Sequence, residues 1–161
     1  MENPRQTKLK KRLIDLAARA LTNAYAPYSN YPVGAALLDE YGRVHLGANV
    51  ENAINGASVC AERSAVSALV TAGGKKILAV GVVTTSKQPV PPCGVCRQVL
   101  REFGEASTPV FFGVRKGRRG SKSLASPMKA TWAIKTLSLS QLLPGGFVPA
   151  LLSGHRKRKA R

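Results

Sequence analysis

Cysteine is scarce in this sequence, with only three among 161 residues. An odd number of cysteines cannot form a complete disulfide framework, so we expect a reducing, cytoplasmic compartment. An isolated cysteine in such a protein is most often a small buried hydrophobic residue. A functional role for Cys60, Cys93 and Cys96 therefore has to follow from their spacing.

The sequence also lacks a long apolar run. The longest, ILAVGVV at 77–83, is far shorter than the ~20 residues that cross a bilayer. Near the basic N-terminus, Asp15 and Arg19 interrupt the continuous apolar segment that a signal peptide needs. We therefore expect no membrane span and no secretory leader. An Arg-rich amphipathic start is also typical of a transit peptide, but we favour a surface helix, because the segment has its apolar residues at helical spacing.

Acidic residues are few. The chain has 8 Asp and Glu against 25 Lys and Arg, a formal net charge of +17, and none of the acidic residues follows Glu105. Basic residues concentrate in KLKKR (8–12), RKGRRGSK (115–122) and HRKRKAR (155–161). Such runs are typical either of nucleic-acid binding or of solvated segments that maintain solubility. We favour the second interpretation, because no aromatic residues interrupt the runs to stack on bases.

Apolar spacing and turn residues predict an α/β protein. The expected elements, in chain order, are a helix over 7–25, a hairpin over 33–50, a helix over about 61–72 with Ser58 as its cap, a buried strand over 76–83, a helix over 95–103, a strand over 109–114, a strand over 129–136 and a short helix over 138–147. Strand–helix–strand units imply parallel pairing with right-handed crossovers. We expect one domain over 1–150 and a basic, flexible tail over 151–161.

The cysteine spacing indicates a metal site. Cys93 and Cys96 form a C-x-x-C pair at a predicted helix start, which alone fits either a metal site or a redox couple. Cys60 would have no role in a redox couple, but it too lies at a predicted helix N-terminus, where the helix dipole favours thiolate. Three thiolates bind zinc and leave its fourth position open, as in catalytic sites. We therefore expect the three cysteines to converge on zinc.

A carboxylate accompanies the first cysteine. Glu62 lies two residues after Cys60, near the first turn of the same predicted helix. There it can stand beside the metal without binding it and move a proton between water and a substrate. Cys-x-Glu followed by Pro-Cys-x-x-Cys is the signature of zinc deaminases in their three-cysteine form.

The sequence resembles the small cytidine deaminases that act on free nucleosides. The similar segments are YAPYSNYPVGAALL, GANVENA, CAERSA, PPCGVCRQVLREFG and LLPGGF, and the resemblance covers roughly residues 10–149. It implies a three-layer α-β-α sandwich with a five-stranded mixed sheet, one zinc ion per subunit and a homotetramer with shared active sites. It also implies zinc-dependent hydrolytic deamination of cytidine and deoxycytidine to uridine and deoxyuridine, with release of ammonia, in pyrimidine salvage.

The resemblance also assigns roles to single residues. Cys60, Cys93 and Cys96 would hold the zinc ion, which activates water for attack on C4 of cytosine, and Glu62 would carry the proton to N3. Arg63 would hydrogen-bond to the thiolates and offset the negative charge that three of them bring to one zinc ion. Its alternative is a surface arginine.

Substrate binding would involve Tyr31, Asn49, Glu51, Ala61, Pro91 and Phe147. The expected contacts are the sugar hydroxyls for Asn49 and Glu51, the pyrimidine face for Tyr31, the cytosine amino group for the Pro91 carbonyl and a neighbouring subunit's site for Phe147. The plainer alternatives are core packing for Tyr31, a turn residue for Asn49, a solvated charge for Glu51 and a hydrophobic cover over the core for Phe147.

The chain departs from the family pattern in several places. Asn55 stands where relatives often have an aromatic residue at the subunit boundary, and Pro91 replaces a small hydroxylic residue. The loop over 115–130 is longer and more basic than usual.

Two other functions remain open from sequence. A blasticidin-S deaminase has similar PCGxCRQV and LLPxGY segments, although a ribose diol suits Glu51 better. A nucleic-acid-binding or editing protein would use the basic termini, but a Glu51 that clasps ribose hydroxyls conflicts with a continuing phosphate backbone.

Overall fold

The computed structural model describes residues 3–116 and 131–148. Its elements, in chain order, are α1 (Pro4–Leu21), β1 (Val33–Asp39), β2 (Val44–Ala48), α2 (Ala61–Thr71), β3 (Ile77–Thr84), α3 (Gly94–Phe103), β4 (Pro109–Arg115), β5 (Trp132–Ser138) and α4 (Leu139–Leu142). None of the helices in this part of the chain is long and apolar enough to span a membrane. The expected order of elements is confirmed.

The strands form one mixed sheet in the order β2-β1-β3-β4-β5. β3 and β4 pair in parallel, as expected for a strand–helix–strand unit, and the other neighbours pair antiparallel. The buried apolar run predicted over 76–83 becomes the central strand β3, where only Leu78 is exposed. An unbroken apolar run suits this position because both faces of a central strand are covered.

Helices cover both faces of the sheet. α1 packs on one face of the sheet through its apolar side, which includes Leu13, Ile14 and Ala17 and contacts Phe111 of β4. The other face carries α2, α3 and α4, whose buried residues include Leu69, Leu100 and Leu139. Successive strand residues point to opposite faces, so β3 contributes Ala79 and Val83 to the first core and Val80 and Val82 to the second. The three-layer α-β-α sandwich is confirmed.

Two glycines let helices lie directly on the strands. A Cβ atom on Gly34 of β1 would come within 2.0 Å of the Ala17 carbonyl oxygen of α1. A Cβ atom on Gly47 of β2 would come within 2.2 Å of the Ala61 carbonyl oxygen, in the first turn of α2. Neither distance is compatible with a side chain, so these positions set how closely the helices approach the sheet.

The N-terminal helix begins and ends earlier than the predicted range of 7–25. Asn3 caps α1 by accepting a hydrogen bond from the Arg5 amide at 2.9 Å, which places Pro4 in the favourable first helical position. At the other end, the Tyr25 amide donates to the Asn49 carbonyl at 2.9 Å. This tertiary hydrogen bond draws the chain toward the end of β2 and out of the helical path.

Other boundaries also differ from the sequence predictions; β5, expected over 129–136, is observed at Trp132–Ser138. Ser58 does not cap α2, because Cys60 occupies the N-cap position and the Ser58 hydroxyl accepts from the Asn52 amide at 3.0 Å. The last helix is a single turn, α4, with a capping box between Ser138 and Gln141. The predicted tail over 151–161 and most of the basic loop, 117–130, lie outside the described residues.

Candidate active site

The three cysteines converge at the N-termini of two neighbouring helices. Cys60 is the N-cap residue of α2, and Cys93 is the N-cap residue of α3. The Cys93 sulfur accepts a hydrogen bond from the Cys96 amide at 3.4 Å. All three Sγ atoms lie within 4.8 Å of one another. Their convergence follows from both helices packing on the same face of the sheet.

The sulfur geometry fits one tetrahedral metal ion. A Zn–S bond of ~2.3 Å in a tetrahedron places sulfur atoms about 3.8 Å apart, and the Cys60 and Cys93 sulfurs are separated by 4.0 Å. All three cysteines are free. A redox couple of Cys93 and Cys96 would leave Cys60 without a role, whereas all three sulfurs lie within 4.8 Å of one another and three thiolate donors suit zinc.

Glu62 is buried beside this sulfur cluster. Only 4% of the residue is exposed, and its carboxylate lies 3.3 Å from the Cys96 sulfur. Burial raises the pKa of Glu62 above the usual range of a carboxyl group. A carboxyl group with a raised pKa accepts a proton more readily than an ordinary surface carboxyl group.

The thiols of the cluster are also perturbed. Burial raises the pKa of Cys96, and the neighbouring Glu62 carboxylate raises it further. Burial and the neighbouring Cys93 raise the pKa of Cys60. A divalent cation reverses this tendency because it stabilises coordinating thiols in their ionised form. The donor set therefore matches a site completed by zinc.

A cleft of about 540 Å³ opens above the cluster, within the ~300–1,000 Å³ that small-ligand sites occupy. Its lining includes eight of the residues predicted from sequence: Tyr31, Asn49, Glu51, Cys60, Ala61, Glu62, Pro91 and Cys93. Val33, Val82 and Val90 form apolar parts of the wall. The cleft thus joins a metal-binding end to a polar end around Glu51.

Glu51 is held in place by the turn that precedes β1. Its carboxylate accepts hydrogen bonds from the amides of Tyr28 at 2.9 Å and Ser29 at 3.2 Å, and from the Ser29 hydroxyl. The Ser29 hydroxyl makes the largest contribution to a lowered pKa, which the amide donors lower further. Glu51 is therefore a fixed, ionised acceptor at the cleft and not a freely solvated charge.

Asn49 secures the opposite end of the same turn. Its Oδ1 accepts from the Val33 amide at 2.8 Å, and its Nδ2 donates to the Tyr31 carbonyl at 3.0 Å. Tyr31 is 36% exposed and lines the cleft, so it is not a core residue. Asn49 thus holds the backbone of Tyr31 beside the cleft.

Two arginines differ in their contacts. Within residues 3–116 and 131–148, the Arg63 guanidinium makes no hydrogen bond to a cysteine sulfur or to any other group. Arg97 instead donates to the Pro92 carbonyl at 2.7 Å and to the Leu142 carbonyl at 3.0 Å. Arg97 was missed from sequence, although its position four residues after Cys93 places it one helical turn from a cysteine of the cluster.

Phe147 lies away from the cleft of its own chain. Its ring is not among the cleft-lining groups, the residue is 52% exposed, and its carbonyl accepts from Gln98 Nε2 at 2.8 Å. It therefore does not serve as a buried cover over the core.

The chain matches a known family model. Residues 7–112 match the model described as the cytidine and deoxycytidylate deaminase zinc-binding region. The chain belongs to this deaminase family. The match includes the whole sulfur cluster and Glu62, so the zinc-binding character of the site is a family property.

Individual relatives and structures agree with this membership. A cytidine deaminase from Halalkalibacterium halodurans is 42% identical over 135 residues, which is 84% of this chain and 91% of the relative. One from Sporosarcina psychrophila is 39% identical over 137 residues, with 85% and 90% covered. The crystal structure of a cytidine deaminase from Burkholderia pseudomallei superposes with a TM-score of 0.72 at 38% identity, covering 84% of this chain and 97% of that one. The Mycobacterium tuberculosis enzyme superposes with a TM-score of 0.65 at 36% identity, with 84% and 94% covered.

Proposed function

We propose that the protein hydrolytically deaminates cytidine and deoxycytidine to uridine and deoxyuridine, releasing ammonia, as an enzyme of pyrimidine salvage. The observation that carries this proposal is the combination of three cysteine sulfurs within 4.8 Å with the buried Glu62 at one cleft. Relatives that are named cytidine deaminases support it.

Cys60, Cys93 and Cys96 would hold one zinc ion per chain. When bound, zinc supplies the Lewis-acid chemistry that activates water. Glu62 would take the proton from the attacking water, deliver it to N3 of the pyrimidine and later help the amino group leave as ammonia. Its burial suits this role, because a raised pKa lets the carboxyl group both accept and release the proton.

The other end of the cleft would bind the sugar. Glu51, already held by Ser29, keeps acceptor capacity for a ribose hydroxyl, and Asn49 retains one N–H for a second. Tyr31 would pack against the pyrimidine from the cleft wall. These contacts favour a nucleoside over blasticidin S, because a fixed carboxylate matches a sugar hydroxyl.

Backbone groups would orient the base. Ala61 is the first residue of α2, and its amide therefore has no partner within the helix. It lies at the cleft and would donate to the pyrimidine carbonyl. The Pro91 carbonyl would accept from the amino group, since a proline in place of a hydroxylic residue keeps this acceptor.

A homotetramer with shared active sites completes the proposal. Phe147 and Val95 are exposed apolar side chains, at 52% and 61%, and Val95 lies between two of the metal-site cysteines in α3. Phe147 would reach the cleft of a neighbouring subunit. Arg63, close to Cys60 in sequence, would turn toward the thiolates once they carry their charge.

Location and domain organisation belong to the same proposal. Thiols that must stay reduced to hold a metal suit the cytoplasm. Residues 1–150 would form the catalytic domain, and 151–161 would be a basic tail outside it.

A substrate panel tests the function. Purified protein with its zinc content measured would be assayed for ammonia release from cytidine, deoxycytidine, blasticidin S and a cytosine-containing oligonucleotide. We expect release from the two nucleosides. Release from blasticidin S alone would replace the proposal with the blasticidin alternative, and release from the oligonucleotide alone would replace it with nucleic-acid editing. Zinc-loaded protein inactive on all four substrates would refute deamination of cytidine.

A further inference from the structure

The outward face of α1 carries a straight row of positive charge. Arg5, Lys8, Arg12 and Arg19 are all exposed. At 100° per residue they fall within an arc of about 60° on the helix surface, and at 1.5 Å per residue they extend over about 21 Å. We call these four residues the α1 stripe. In the linear sequence other residues separate them, so their alignment becomes visible only on the helix.

The stripe points directly away from the sheet. The buried side of α1, with Leu13, Ile14, Ala17, Ala18 and Leu21, lies on the opposite side of the helix. The metal-site helices α2 and α3 cover the other face of the sheet. A partner on the stripe would therefore leave the cleft accessible.

The only acidic residue of α1 is already neutralised. Asp15 forms an ion pair with Lys11 at 2.7 Å and accepts a hydrogen bond from the Trp132 indole at 2.9 Å. Its carboxylate is thus engaged beside the stripe and does not offset the four cations. α1 also has no acidic residue in its first turn, so Arg5 stands unfavourably near the positive end of the helix dipole. An external anion at this end of the helix would offset that unfavourable charge.

We propose that the α1 stripe is a docking surface for the phosphate backbone of double-helical nucleic acid. A duplex carries one negative charge per ~1.7 Å of its axis, so a row of four cations about 21 Å long can face phosphates along its whole length. The sequence of α1 contains no aromatic residue. A single strand, which is typically bound through aromatic stacking, fits this surface less well.

A membrane surface is a poorer match for the same charges. Amphipathic helices bind bilayers by inserting an apolar face. The apolar face of α1 is packed against the sheet, with Leu13 and Ile14 both 0% exposed. Only the charged side of the helix is available, so binding should depend on phosphate charge and not on insertion.

The test uses two full-length variants with the same change in net charge. The stripe variant combines Arg5→Gln, Lys8→Gln and Arg12→Gln. The control combines Lys75→Gln, Lys76→Gln and Lys87→Gln, which are exposed loop positions outside α1. The backbone amides of Lys75 and Lys76 bind Glu40, and these contacts survive the side-chain changes. Both variants should fold, which circular dichroism would check.

Binding to a 20-base-pair DNA duplex would be measured between 0.05 and 0.2 M salt. We expect the stripe variant to bind on the order of 10- to 100-fold more weakly at 0.1 M salt. The slope of log K against log salt should become shallower by about 0.9 for each phosphate that the variant no longer neutralises. The control variant should keep the wild-type slope, and all three proteins should deaminate cytidine equally.

Other outcomes overturn the proposal. Equal weakening in both variants would attribute binding to net charge, and an unchanged stripe variant would place the binding surface elsewhere. Absence of duplex binding by the wild type, or stripe-dependent binding to phosphatidylserine vesicles without duplex binding, would exclude a nucleic-acid partner. Because the readout is duplex affinity, these results are independent of the proposed deaminase activity.

Discussion

The hydroxyl of Ser29, in the turn before β1, donates a hydrogen bond to the carboxylate of Glu51, which follows β2. The same oxygen accepts a hydrogen bond from the Tyr31 amide at 3.0 Å. A single side chain therefore orients both the carboxylate proposed to bind the sugar and the backbone of the residue proposed to pack on the base. Ser29 was not recognised from sequence, although it is a hydroxyl residue in a turn-rich segment two residues before Tyr31.

Ser29→Ala should raise KM for cytidine with a smaller effect on kcat. Loss of this donor frees the Glu51 carboxylate, and a hydrogen bond to a charged group corresponds to roughly a 10- to 100-fold change. Steady-state kinetics would measure it, with Ser29→Thr as the hydroxyl-retaining control. 2′,3′-Dideoxycytidine, which lacks the 2′ and 3′ hydroxyls, should be far less sensitive to the substitution. An equal KM increase for both substrates would contradict a role in sugar binding.

Glu62→Gln should retain the fold and the metal but lose most turnover. The amide has nearly the same shape but cannot carry a proton, and general acid–base catalysis contributes about 100- to 10,000-fold. Single-turnover assays on zinc-quantified protein would measure the loss. Turnover within tenfold of the wild type would exclude Glu62 as the proton carrier.

Zinc content should depend on all three cysteines. Cys96 is the fully buried member of the cluster, so Cys96→Ala removes a proposed ligand that no exposed group can replace. We expect about one zinc per chain in the native protein, measured by elemental analysis, and a large loss in the variant. Glu62→Gln is the matched control, because it alters a buried neighbour without removing a ligand. Full zinc content in Cys96→Ala would refute the three-cysteine site.

Acid stability should depend on Asp39. Its side chain is buried, and this desolvation opposes ionisation. Hydrogen bonds from the His45 and Arg43 side chains and from backbone amides outweigh the desolvation and hold the pKa of Asp39 well below the usual range. A lowered pKa means that ionised Asp39 stabilises the fold. This contribution is complete above the ordinary Asp pKa of ~3.9 and is lost as the pH falls from there toward the lower folded-state value.

Thermal unfolding between pH 2.5 and 7 would test this. Asp39→Asn should lower the melting temperature at neutral pH and flatten its decline below about pH 4. Glu105→Gln, which changes an exposed carboxylate, serves as the control. A decline in Asp39→Asn as steep as in the wild type would assign the acid sensitivity to other groups.

The sulfur cluster was predictable because its geometry is local to two helix starts. Cys60 and Glu62 share one helical turn, and Cys93 and Cys96 share another, so the spacing in sequence fixes each pair. β3 was equally visible, because burial on both faces requires an unbroken apolar run. In these cases the same few residues determine both the pattern and the structure.

The contacts that sequence could not reveal join distant parts of the chain. Arg97 reaches the carbonyl of Leu142, 45 residues further on. The end of α1 is set by the hydrogen bond between Tyr25 and Asn49, which has no signal in the helical periodicity. The alignment of the α1 stripe likewise depends on where the helix begins, and the prediction placed that start three residues too late.

Gly47 gives the site a sensitivity that no functional group reveals. The carbonyl that would collide with a methyl group at this position belongs to Ala61, the residue between Cys60 of the sulfur cluster and Glu62, the proposed proton carrier. Any side chain at 47 must lift the start of α2 from β2 and carry Cys60 and Glu62 away from Cys93 and Cys96. In a saturation mutagenesis experiment scored by zinc retention, position 47 should tolerate as few replacements as a ligand position. The sequences compatible with the site are thus limited by the need for glycine at position 47 as well as by the three cysteines.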